Sequence, residues 1–73
     1  MQEKTDVEYQ GTVYTGHYFV EGINKRQLTV WYRGRKRVDN FDPRAEEPGY
    51  VESFAEQLLL EMVREEAAEL DVR

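Results

Sequence analysis

The chain has no cysteine, one histidine, one serine and two prolines in 73 residues, and among its short apolar runs is "LLL" at 58–60. Each scarcity excludes something. Without Cys there is neither a disulfide nor a thiolate metal site, and a single His leaves a zinc site without ligands. An apolar run of that length falls far short of the roughly 20 residues of a membrane span, so no membrane association is expected. The polar start "MQEKTDVEYQ" lacks a basic-then-apolar pattern and predicts no signal peptide. A cytoplasmic protein is expected, in keeping with the missing Cys. Its length allows one small domain, residues 1–73, which buries only about 60% of the surface exposed by its unfolded chain. Such chains gain the missing burial from a disulfide, a metal or a partner subunit. With the first two absent, self-association is the remaining route.

What is present is unevenly placed. The net charge is −5. Residues 1–37 hold seven Lys and Arg against four Asp and Glu, a net of +3; residues 38–73 hold three against eleven, a net of −8. Six of the ten cations fall between Lys25 and Arg37, in and around the stretch "VWYRGRKRV", which contains the only Trp. The two halves therefore carry opposite fields.

Residues 7–41 are rich in Val, Tyr, Thr, Phe and Trp and are punctuated by glycines, the composition of strands and turns. Strands are expected at about 12–20, 27–32 and 36–40. Gly16 marks a bulge or a close backbone approach, and Gly34 a tight hairpin. The stretch "DPRAEEPG" within loop 41–49 ends the strand pattern. From about residue 50 to 70 the apolar period becomes helical, with Val51, Phe54, Ala55, Leu58, Leu59, Met62 and Val63 on one wide stripe that has Leu59 and Val63 at its margin. The acids of "EEAAELDVR" lie at the negative end of the helix dipole, so the last turn is expected to fray. The fold class is α+β: a three-stranded antiparallel β-meander followed by one C-terminal α-helix packed on the sheet. The pattern "GTVYTGHYFVEG", then "LTVWYRGRKRV", a polar loop and "FAEQLLLEMV" resembles short uncharacterised bacterial proteins built as a β-meander plus helix, a resemblance that brings no function with it.

Alternation along the strands puts Tyr14, Gly16, Tyr18, Val20, Leu28, Val30 and Tyr32 on one face, expected under the helix. A three-residue loop through Gly34 would add Val38 to that floor. Val13, His17, Phe19 and Trp31 fall on the other face. One helix cannot cover both faces, so the second is covered by the N-terminal segment or the acidic loop, or it is an interaction surface. His17 lacks an orienting partner and a nucleophile, so no enzyme, catalytic residue, metal or cofactor is expected. The dispersed carboxylates form neither a glycosidase pair nor a calcium loop.

The candidate interaction surface is Val13, His17, Phe19, Trp31, Arg33, Arg35, Lys36 and Arg37. Its expected occupant is a second copy, as a homodimer, or a protein partner, with the outer helix edge at Leu59 and Val63 as a competing dimer surface. The alternative is nucleic acid, with the hairpin cations on phosphates and Trp31 and Tyr32 stacking on bases. The plainest account of the basic cluster is that it faces the acids of residues 42–71.

Overall fold

In a computed structural model describing residues 2–23, 26–42, 44 and 49–71, the chain forms β1 (Glu3–Tyr9), β2 (Thr12–Glu21), β3 (Arg26–Tyr32), β4 (Arg35–Phe41) and α1 (Tyr50–Asp71). The strands make one antiparallel meander in the order β1-β2-β3-β4, with the helix packed on one face. The sheet thus has four strands, not three. Gln10 and Gly11 both have positive φ, 52° and 81°, and turn the chain in two residues, so that Tyr9 pairs with Thr12. This primed turn matches strand twist and converts Glu3–Tyr9 into a strand of its own.

Arg33 and Gly34 repeat the device, with φ of 48° and 75°. The β3–β4 loop therefore has two residues, not three, and Tyr32 pairs with Arg35. One residue of difference flips every side chain of β4 to the other face. Val38 pairs with Thr29 and lies away from the helix, not beside Leu28 and Val30. The helix side receives Arg35, Arg37 and Phe41 instead. Phe41 is buried, and its ring meets those of Tyr50 and Phe54 at centroid distances of 5.7 and 6.0 Å.

The core joins Leu28, Val30, Tyr32 and Phe41 of the sheet to Ala55, Leu58, Leu59, Met62 and Val63 of the helix. Tyr14, Tyr18 and Val20 pack at its edge, as do Val7 and Tyr9 of β1. Leu59 and Val63 are not at the stripe's margin; they are among the most deeply buried side chains of the domain, which removes the proposed helix edge as an interface. The helix lies chiefly over β1 and β3. It comes close over β2 at Gly16, where a Cβ would stand 2.9 Å from Leu59 Cδ1 and 2.9 Å from the Trp31 carbonyl oxygen. Gly16 is thus the close-approach residue, sitting in regular pairing opposite Thr5 without a bulge. At the helix start, Ser53 N–H donates to the Gly49 carbonyl at 3.0 Å.

Candidate interaction surfaces

The eight candidate residues divide between the two faces of the sheet. Because β4 alternates, Arg35 and Arg37 project to the helix side and Lys36 to the open side. Arg33 lies in the turn, its guanidinium 5.7 Å from the Tyr14 ring centre and 5.3 Å from that of Tyr32. The cations do not form one cluster.

On the helix side, arginines meet acids. Arg33 donates to Glu66 at 2.9 Å, and the Tyr32 hydroxyl donates to the same carboxylate at 3.2 Å. Arg35 pairs with Glu69, and Arg37 with Glu61 and Glu65. The acids recur at i, i+4 along the helix, which aligns Glu61, Glu65 and Glu69 beside β4. The hydrogen bonds that Arg35 donates to Glu69 and Arg37 donates to Glu65 hold both guanidinium groups even more firmly protonated than usual. Burial, followed by the hydrogen bond to Glu66, raises the Tyr32 hydroxyl above its ordinary value.

On the open face, register builds rows across the strands. Lys4 pairs with His17, His17 with Trp31, and Trp31 with Lys36. Phe19, Thr29 and Val38 form the next row. Phe19 and Trp31 stack at 5.0 Å with their planes 18° apart. Both rings are half-buried by this contact, while Val13 and Val38 are exposed. The N-terminal segment does not cover this face: as β1 it lies beside β2, in the plane of the sheet. Most of the acidic loop, residues 43 and 45–48, lies outside the described residues. Lys4 and Val38, absent from the candidate surface predicted by sequence, join this face. Their signal was the length of the two turns, from which the register follows.

His17 stands on the open face, whereas Ser53 is on the helix behind the opposite face. Among the described residues no group of three His, Cys, Asp or Glu side chains is placed to hold a metal ion. Nor, among them, is any helix long and apolar enough to cross a membrane. Compared with family models, curated proteins and solved structures, the chain matches none.

Proposed function

We propose that this chain is a non-enzymatic interaction module, working in the cytoplasm, whose open sheet face binds a protein partner or another copy of itself. The observation that carries this reading is the Phe19–Trp31 stack, with the exposed Val38 beside it and no covering element among the described residues. Aromatic rings are the largest source of burial energy for a small domain, and a contiguous apolar patch on a folded surface marks a contact site. The separation of His17 from Ser53 supports a binding role over catalysis. Nucleic-acid binding through residues 31–37 has less support: Arg33, Arg35 and Arg37 already face carboxylates, which leaves Lys36 as the hairpin's cation on the open side.

A photo-cross-linking residue at position 13 or 38 tests the reading in cells, with position 57 on the helix as control. Discrete cross-linked products from 13 and 38, absent from 57 and lost on Trp31→Ala, are expected. Equal labelling from all three positions would sink it. Salt-sensitive binding of single-stranded oligonucleotides, abolished by Lys36→Glu, would favour the nucleic-acid reading instead.

A further inference from the structure

The outer edge of β4 carries a pattern that the open face does not explain. β4 is seven residues long, pairs with β3 at every position without a bulge and contains no proline. It is an end strand of the sheet, and the helix lies chiefly over β1 and β3. Among the described residues no strand pairs along this edge, and a regular edge templates pairing with another strand unless something blocks it.

The direction of the edge groups follows from the hairpin. A two-residue turn makes Tyr32 and Arg35 a hydrogen-bonded pair, and such pairs alternate along the ladder. The backbone groups of Arg35, Arg37, Asp39 and Phe41 therefore face β3. Those of Lys36, Val38 and Asn40 face outward. The Asn40 N–H agrees: it donates to its neighbour's Asp39 Oδ1 at 2.9 Å rather than to β3.

We infer that β4 pairs antiparallel with β4 of a second copy across a two-fold axis at Val38, joining two sheets into one of eight strands. The axis makes Val38 of each copy a hydrogen-bonded pair, in which both N–H···O bonds are exchanged, and sets Lys36 against Asn40 in the same manner, the Asn40 N–H turning from Asp39 Oδ1 to the Lys36 carbonyl of the second copy. Arg37 then lies opposite Asp39 of the second copy on the helix side, twice by symmetry, and Arg35 lies opposite Phe41. Opposite charges at facing positions stabilise a strand pair and like charges oppose it. The neighbouring registers are worse. An axis at Lys36 opposes Lys36 to itself and Arg35 to Arg37. Axes at Arg37 and Asp39 oppose those residues to themselves, and an axis at Asn40 overlaps only the strand ends. The charges that would block a foreign strand thus select this self-pairing. Edge pairing leaves the open face free, so it stands or falls separately from the function proposed above.

Charge-reversed chains test it by sedimentation equilibrium, with circular dichroism as the check on folding. The unmodified chain is expected to dimerise. Asp39→Lys and Arg37→Asp should each raise the dimer Kd at least about tenfold, by placing like charges opposite one another. An equimolar mixture of the two restores opposite charges at both positions and should recover a heterodimer near the original affinity. Because a disulfide needs Cα atoms roughly 4.4–6.8 Å apart and a hydrogen-bonded strand pair sets them at about 5.5 Å, Val38→Cys should cross-link under mild oxidation. Ile23→Cys, on a strongly exposed residue away from β4, should not. The cross-link keeps the test valid if a charge reversal disturbs the fold. A chain monomeric to about millimolar, a mixture that fails to recover association, or a dimer broken by Trp31→Ala but not by the charge reversals overturns the inference.

Discussion

Gly16 owes its place to space, not to backbone freedom, because the helix comes down on it. A methyl group there meets Leu59, whose end can turn aside, and the Trp31 carbonyl, which is backbone and cannot. Gly16→Ala is expected to cost about 1–3 kcal/mol through overpacking. Leu59→Ala alone removes a fully buried side chain and is expected to cost about 2–5 kcal/mol. The two share one volume, so the double variant should lose less than the sum by about 0.5–3 kcal/mol. Urea unfolding of the four proteins measures the coupling. Strict additivity would show that Leu59 does not set the limit at Gly16. A second residue-scale feature is the Thr5 hydroxyl opposite, buried and with no hydrogen-bond partner among the described residues.

At the scale of elements, the last turns of α1 run against local preference. Glu61, Glu65 and Glu69 repel one another at i, i+4, and no basic residue occupies the last turn. The fraying expected from sequence follows from those facts alone, yet the helix continues to Asp71. The missing cations come from the β3–β4 hairpin, as Arg33, Arg35 and Arg37. Such partly exposed pairs are screened by salt. Amide exchange of residues 64–71 should therefore quicken as NaCl rises to about 1 M, where screening acts within about 3 Å. In Arg35→Gln/Arg37→Gln the same amides should exchange fast at low salt and respond little to more. Exchange indifferent to salt in the unmodified chain would show that apolar packing alone holds the helix end.

Over the whole molecule, the strand missed from sequence is structurally central. Together with β3, β1 is the strand on which the helix chiefly lies, and its Val7 and Tyr9 pack against the core. A chain beginning at Gln10 would keep the three expected strands and the helix but lose that support. A domain this small has little stability in reserve. The truncated chain is expected to lose its cooperative thermal transition. Retention of a cooperative transition with stability within about 1 kcal/mol of the full chain would demote β1 to an accessory strand.

Local periodicity determined much of this protein from sequence alone. Period 2 along residues 12–40 and period 3.6 beyond residue 50 specified the α+β class and placed the helix within a residue of its observed end. They also identified Leu28, Val30 and Tyr32 as the floor beneath it, because alternation and helical spacing are properties of a segment by itself. The tertiary structure decided what depends on register. A two-residue turn at Arg33–Gly34 moved Val38 to the open face and set Arg35, Arg37 and Phe41 toward the helix. A tight turn containing Gly was legible, but its length is settled by competition among strand twist, burial of Phe41 and the carboxylates awaiting each arginine. The same long-range competition split the basic stretch around Trp31. Its arginines answer the helix acids, and Lys36 alone of the hairpin cations stands with Trp31 on the face left open.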